Sequence, residues 1–189
     1  MKIIGLTALI LFACTSFAKI FDWTQGTGFV EFRATGHPSA IHIVGKGEHA
    51  TGKFTLEERT LKGEAEFKLA TLDTQNQTRN QHMKEKYLEV GLYPSAKLTL
   101  DKCELPFELK DGFSAKDVPF TAHLTLHGVT KPLSGTVMIE QRDQVLMVKA
   151  EFKIKVNDYS ISIPTFMGIT MADEVAVTVQ ETFPKTSIN

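Results

Sequence analysis

Strict alternation of apolar and polar residues is the feature that most constrains how this chain can fold. The clearest run is Leu146–Val156, in which every second residue is apolar and the residues between them are Met, Lys or Glu. A helix would spread both sets around its circumference, whereas a β-strand places them on opposite faces. The run therefore predicts a long strand with one buried face and one solvated face.

The same alternation recurs along most of the chain and is interrupted by turn residues such as Gly128. It predicts eight further strands, at 28–34, 40–44, 53–57, 64–71, 96–101, 120–126, 133–139 and 175–181. Strands with one wet face are typical of antiparallel sheets, and a single sheet of about nine twisted strands tends to close on itself. We therefore expect an all-β, antiparallel barrel.

One stretch breaks the alternation, at residues 77–90. Met83, Tyr87 and Val90 recur there at helical spacing, with Lys and Glu between them. This pattern predicts one short helix, which ends before Gly91 and Pro94.

The N-terminus has the features of a secretory signal peptide. Lys2 precedes an apolar run over 3–13, and Ser16 and Ala18 place small residues where a signal peptidase cuts. The run is shorter than the roughly 20 residues that span a bilayer. We expect a signal peptide over 1–18, one domain over 19–189, and export of the mature chain. An alternative is acylation at Cys14, because residues 11–14 loosely resemble a lipoprotein cleavage site.

The charge balance of the expected mature chain does not favour nucleic acid as a partner. Lys2 is the only charged residue of the first 18, so 20 basic and 22 acidic side chains remain. A near-neutral chain without a basic tract lacks the electrostatic footprint of a nucleic-acid-binding protein. The pattern names no protein partner, and it leaves a homodimer open.

Candidate catalytic and metal-binding groups are weak in this sequence. His123 and His127 would lie roughly 13 Å apart on a strand, too far to share one zinc ion. There is no Gly-x-Ser-x-Gly elbow, and carboxylates are expected on the solvent side of the strands. Cys103 has the parity of Lys97 and Thr99, so it too is expected on the solvent side. We therefore predict no enzyme activity, no bound metal and no cofactor.

Arg79 and His82 are three residues apart on the expected helix and so share a face. They fit a cationic rim that meets a phosphate or other anionic head group. They equally fit structural roles, with Arg79 pairing locally and His82 capping or hydrogen bonding. The residues alone leave both interpretations open.

A closed barrel of this size has either a packed interior or room for one small ligand. Strands of about seven residues span roughly 23 Å, the reach of a long alkyl or isoprenoid chain. Burying about ten methylene groups would contribute about 8 kcal/mol before other terms, so such a ligand needs no dedicated polar site. The alternative is a solid-cored domain that binds a protein or envelope component through its outer surface.

Three stretches resemble the YceI-like family in order and spacing. They are "TLDTQNQTRNQHM", "YLEVGLYPSAKLTL" and "HLTLHGVTKPLSG", which extends from His123 to Gly135. Arg79 and His82 match the family's Arg and His, whereas Asn80 stands where the family usually has Asp and Met83 where it has Leu.

The resemblance implies an extended, lipocalin-like antiparallel β-barrel that is exported to the periplasm and holds a polyisoprenoid-type lipid in an apolar tunnel. It implies binding without catalysis. We accordingly predict Arg79 and His82 as rim residues. The residues predicted to line the tunnel are Phe67, Leu69, Leu124, Leu126, Val148, Ala150, Phe152 and Ile154.

Overall fold

A computed structural model describes residues 19–37, 41–106, 112–143, 145–166 and 169–184. The expected signal peptide and Cys14 lie outside the described residues. The strands are β1 (Lys19–Asp22), β2 (Thr27–His37), β3 (Ile41–Gly47), β4 (Thr51–Glu57), β5 (Thr60–Lys68), β6 (Ser95–Glu104), β7 (Ser114–Leu126), β8 (Val129–Arg142), β9 (Val145–Lys155), β10 (Thr165–Phe166) and β11 (Ile169–Pro184).

The nine strands expected from alternation are all present, and they correspond to β2 through β9 and β11. The sequence pattern missed β1 and β10, which have four and two residues. Segments this short give too few alternating positions for the pattern to be recognised.

All strands pair antiparallel in one sheet, in the order β1-β4-β5-β6-β7-β8-β9-β11-β2-β3, with β10 on β11. The sheet curls so that its two ends meet. Lys46 on β3, at one end of the sheet, exchanges two backbone hydrogen bonds of 2.9 Å with Asp73, which follows β5 near the other end. The all-β barrel predicted from the sequence is therefore confirmed.

The expected helix is also present, between β5 and β6. It consists of α1 (Gln77–Gln81) followed by a π-helical turn (His82–Tyr87), and residues 77–87 are called the helical segment below. The Asn76 side chain caps α1 by accepting a hydrogen bond from the backbone N–H of Arg79 at 2.9 Å. The helical segment lies at the end of the barrel where β5 ends and β6 begins.

The opposite end of the barrel is solid. It is called the packed end below and is built from buried side chains near the ends of β6, β8 and β11 and the beginnings of β7 and β9. They are Leu105, Phe113, Ile139, Leu146 and Phe183, all in one apolar cluster. Leu105 and Phe183 are only 1% and 2% exposed, so the described residues of this end pack closely against one another.

The prediction that Cys103 faces solvent is wrong. β6 pairs Leu100 with Ala122 but Lys102 with Thr121, so β6 has one extra residue at this point. Such a β-bulge reverses the alternation of faces beyond it. Cys103 consequently points inward and is 1% exposed. Burial raises the pKa of its thiol to about 11, which disfavours the reactive thiolate.

Candidate functional site

The barrel encloses a cavity of about 850 Å³ between the packed end and the helical segment. This volume is within the range of roughly 300–1,000 Å³ that is usual for small-molecule sites. Most of the wall is formed by apolar side chains on the inward faces of the strands, because alternation points every second residue to the barrel axis. The interior is therefore hollow, which disfavours the solid-cored alternative.

The structure places all eight residues predicted for the tunnel on the cavity wall. Residues 67 and 69 come from the end of β5 and the turn after it, 124 and 126 from β7, and the others from β9. They are Phe67, Leu69, Leu124, Leu126, Val148, Ala150, Phe152 and Ile154. That they contact a ligand stays a prediction.

Aromatic rings separate the cavity from the packed end. The ring centre of Trp23 lies 4.4 Å from that of Phe54 and 5.1 Å from that of Phe183. Trp23 and Phe54 line the cavity, whereas Phe183 lies behind them. Sequence reasoning missed Trp23, because it lies in a short 3-10 turn after β1 rather than in an alternating run. These rings form the closed bottom of the cavity.

The predicted rim residues Arg79 and His82 also lie on the cavity wall, together with Lys86. All three belong to the helical segment, Arg79 being half-buried and the other two exposed. Sequence reasoning did not name Lys86, although its spacing of four residues from His82 was a usable signal. The helical segment thus supplies the polar part of an otherwise apolar wall.

Arg79 is held in place by Thr74. Its Nε donates to the Thr74 hydroxyl at 2.9 Å, and one Nη donates to the Thr74 carbonyl at 2.6 Å. Asn80 accepts hydrogen bonds from the backbone N–H and the hydroxyl of Thr74, at 2.8 and 2.7 Å, and donates to Asp73 at 2.7 Å. Asn80 therefore organises the start of the helical segment rather than pairing with Arg79.

Asp73 completes this network. The hydrogen bond from Asn80, followed by one from the backbone N–H of Gln75, lowers the pKa of the Asp73 carboxyl below its usual value. The ionised carboxylate thus anchors the loop that joins β5 to the helical segment. Arg79 therefore both donates hydrogen bonds to Thr74 and lines the cavity.

The hairpin motif that begins at His123 contacts the loop that follows the helical segment. His127 and Gly128 form the turn between β7 and β8, and both have the positive φ that a two-residue hairpin favours. The His127 Nε2 lies 2.6 Å from a carboxylate oxygen of Glu89, and its Nδ1 lies 3.2 Å from the carbonyl of Tyr159. One imidazole thus joins three segments of the chain.

Gly128 is required at this turn for a second reason. A Cβ atom at this position would lie 2.8 Å from the ring of Tyr93, closer than a side chain tolerates. The ring of Tyr93 also packs on His127, with centres 4.4 Å apart. The contacts of His127 and Gly128 therefore make the motif a structural clasp.

The expectation that carboxylates lie on the solvent side is wrong at Glu181. Glu181 lies on the same face of β11 as Val177 and Val179, and its side chain is fully buried. Its Oε1 accepts a hydrogen bond from the backbone N–H of Ala50 at 2.8 Å, while Oε2 has no partner among the described residues. Burial raises the pKa of the Glu181 carboxyl to about 7, although the Ala50 hydrogen bond opposes the shift.

Histidines and acidic residues do not gather into a metal site in the described parts of the chain. No group of three or more His, Cys, Asp or Glu side chains has suitable geometry there. His123 lies beside Asp101 on the surface, at 2.8 Å, without a third ligand. No described helix is long and apolar enough to cross a membrane.

The fold and the cavity define the class of protein, an antiparallel β-barrel of lipocalin-like architecture with a closed-ended apolar cavity. The sequence matches the YceI-like domain family over residues 23–183. The chain therefore belongs to the YceI-like domain family.

Relatives by sequence cover most of the chain. The UPF0312 protein plu2095 of Photorhabdus laumondii is 31% identical over 84% of this chain and 85% of its own length. Protein YceI of Escherichia coli is also 31% identical, over 70% of each chain. The family match extends from the turn after β1 to Phe183 in β11.

Solved structures share the fold at much lower identity. A polyisoprenoid binding domain from Saccharophagus degradans has a TM-score of 0.64 at 16% identity and covers 90% of this chain and 99% of its own. BcnA of Burkholderia cenocepacia has a TM-score of 0.65 at 14% identity and covers 86% and 98%. At identities of 14–16%, these structural similarities show that the proteins share the barrel fold with this chain.

Proposed function

We propose that this protein binds a long apolar lipid, of polyisoprenoid type, inside its barrel and serves as a periplasmic carrier. The observation that carries the proposal is the apolar cavity of about 850 Å³ that is closed at one end by aromatic rings. Membership of the family and the polyisoprenoid-binding fold neighbour support it. Burying about ten methylene groups there would stabilise a complex by about 8 kcal/mol, from which the entropy of association is subtracted.

The proposed role is binding and not catalysis. Among the described residues of the cavity wall, no Thr or Cys side chain is hydrogen bonded to a histidine or a carboxylate, and burial disfavours the thiolate of Cys103. The apolar wall supplies affinity through burial alone, for which no reactive group is needed. No cofactor is part of this proposal.

The periplasmic location rests on the expected signal peptide over residues 1–18. The intact mass of the exported chain tests it. A mass that corresponds to a chain beginning at Lys19 supports free export, whereas a chain beginning at an acylated Cys14 supports membrane anchoring. A mass that retains all of the first 18 residues would contradict the location.

Lipid binding is tested with the variant Ala150→Trp. Ala150 lines the cavity at the middle of β9, so an indole at this position would occupy space that the ligand needs. We expect native mass spectrometry with geranylgeraniol to show at least a roughly tenfold loss of loading, the equivalent of about 1.4 kcal/mol.

The matched control is Ala176→Trp, on the neighbouring strand β11. Ala176 pairs with Arg33 and Lys153 on the outer face and does not line the cavity. Circular dichroism should show the β-sheet signal in both variants. Equal loading of the two variants would contradict binding inside the barrel at this point.

A further inference from the structure

The imidazole of His127 faces a hydrogen-bond acceptor at each of its two nitrogens. Its Nε2 lies 2.6 Å from a carboxylate oxygen of Glu89, and its Nδ1 lies 3.2 Å from the backbone carbonyl of Tyr159. The His127 side chain is only 9% exposed. The protein itself therefore supplies the partners of both nitrogens, and solvent has little access to replace them.

Two acceptors require two donors. A carbonyl and a carboxylate can only accept hydrogen bonds, whereas a neutral imidazole has one N–H and a lone pair on its other nitrogen. Neutral His127 would thus direct a lone pair at one of the two oxygen atoms. The imidazolium has an N–H on each nitrogen and makes both hydrogen bonds, of which the one to Glu89 is charge-assisted.

The other titratable groups around His127 do not supply the missing donor. Tyr93 packs its ring on the imidazole, with ring centres 4.4 Å apart and planes inclined at 54°. Tyr159 presents its backbone carbonyl, and burial, followed by the charge of nearby Asp158, raises the pKa of its phenol. Among the described residues, the charged partner of the imidazole is therefore Glu89.

Glu89 lies in a turn that depends on such contacts. Its φ is 43°, in the left-handed region that L side chains seldom adopt. Its backbone carbonyl accepts hydrogen bonds from the backbone N–H groups of Leu92 and Tyr93, at 2.8 and 2.9 Å. Leu88, the residue before Glu89, lines the cavity. The contact with His127 thus holds a turn that is joined directly to the cavity wall.

We propose that His127 and Glu89 form a pH-sensitive switch, which is closed while the imidazole carries both protons and opens when it loses one. Histidine ordinarily titrates at about pH 6.5. Because the closed state binds the proton, its stabilisation is present at low pH and is lost as pH rises through this range. Acid then tightens the cavity wall at Leu88, and weakly alkaline pH loosens it. The inference does not depend on whether a lipid fills the cavity.

Hydrogen exchange of the backbone amides of Leu92 and Tyr93 measures opening of the turn, because both amides donate to the Glu89 carbonyl. Rates at pH 5.5 and pH 8 are each divided by the intrinsic exchange rate at that pH. We expect the corrected rates to be about tenfold higher at pH 8, the equivalent of about 1.4 kcal/mol. Amides of β7 are the reference for global unfolding, because the titration of Glu181 changes global stability over the same pH range.

The variant Glu89→Gln separates the switch from other effects of pH. The amide of glutamine can donate to the Nε2 of a neutral imidazole, while the Nδ1 donates to the Tyr159 carbonyl. We therefore expect this variant to keep the turn closed at pH 8 and to lose the pH dependence. The matched control is Asp101→Asn, which neutralises the carboxylate 2.8 Å from the exposed His123 on the same hairpin. This control should keep the full pH dependence.

Nitrogen-15 NMR of the His127 ring tests the proton count without any substitution. We expect two N–H groups at pH 5.5 and one at pH 8, and a neutral ring at pH 5.5 would overturn the switch. Equal corrected exchange rates at the two pH values would also overturn it. So would a pH dependence that Glu89→Gln leaves intact. None of these measurements involves a lipid, so their failure leaves the proposed function standing.

Discussion

At the scale of single residues, Glu181 is where burial and charge oppose each other most directly. The carboxyl is fully buried beside the turn that joins β3 to β4, and only one of its oxygens has a hydrogen-bond partner among the described residues. A protonated carboxyl avoids most of the desolvation penalty and still accepts the hydrogen bond from Ala50. The neutral acid is therefore the form that suits the closed barrel.

This arrangement predicts how stability depends on pH. The pKa of Glu181 is about 7 in the folded protein against an ordinary value of 4.5, so the folded state binds the proton more tightly than the unfolded state. The contribution of Glu181 to the free energy of unfolding is then fully present below about pH 4.5 and falls as pH rises to about 7. This shift in the pKa of Glu181 corresponds to roughly 3 kcal/mol of free energy of unfolding.

The variant Glu181→Gln should remove this dependence, because glutamine resembles the protonated acid in shape and charge. Urea unfolding at pH 5 and pH 8 measures the effect. We expect the variant to be more stable than the unaltered protein at pH 8 and to lose less stability between the two pH values. The same fall in stability for both proteins would contradict the assignment.

At the scale of elements, the clasp around His127 joins the β7–β8 turn to Glu89, two residues after the helical segment. The imidazole contacts Glu89 and the carbonyl of Tyr159, and it is only 9% exposed. Removing the imidazole leaves the backbone carbonyl of Tyr159, a buried residue, without its hydrogen-bond donor. Leaving a buried polar group unpaired costs about 1–3 kcal/mol.

We therefore expect His127→Ala to lower the free energy of unfolding by about 1–3 kcal/mol and to speed hydrogen exchange in residues 77–87. The control is His123→Ala on the same hairpin. His123 pairs with Asp101 at the surface, where an ion pair contributes about 0–1 kcal/mol. Slow exchange in the helical segment of both variants would show that His127 does not hold it.

The strands also show which parts of the fold could be predicted from the sequence. The faces of β7 and β9 followed correctly from alternation, because the pleat of a strand repeats every two residues. Cys103 was misplaced because a bulge at residues 101–102 is set by pairing with β7, which local sequence does not reveal. The prediction failed at Glu181 because carboxylates usually lie on the solvent side of a strand. The alternation of β11 instead places Glu181 on the same inward face as Val177 and Val179.

At the scale of the whole molecule, the sequence predicted a closed barrel but left open whether it is hollow. Whether a cavity remains depends on how the volumes of side chains from ten strands add up around one axis, and alternation carries no information on this. The placement of the helical segment on the cavity wall is likewise a tertiary feature. Arg79 and His82 could be assigned to one helix face from spacing, but their position beside an apolar cavity could not.

Native mass spectrometry of the exported protein shows whether the barrel holds a lipid. Organic extraction and lipid analysis of the same sample would identify the cargo. We expect a complex with one long-chain lipid per protein chain, released on unfolding. A clean apo mass that persists after incubation with isoprenoid quinones and polyprenyl phosphates would contradict it and favour a domain that acts through its outer surface.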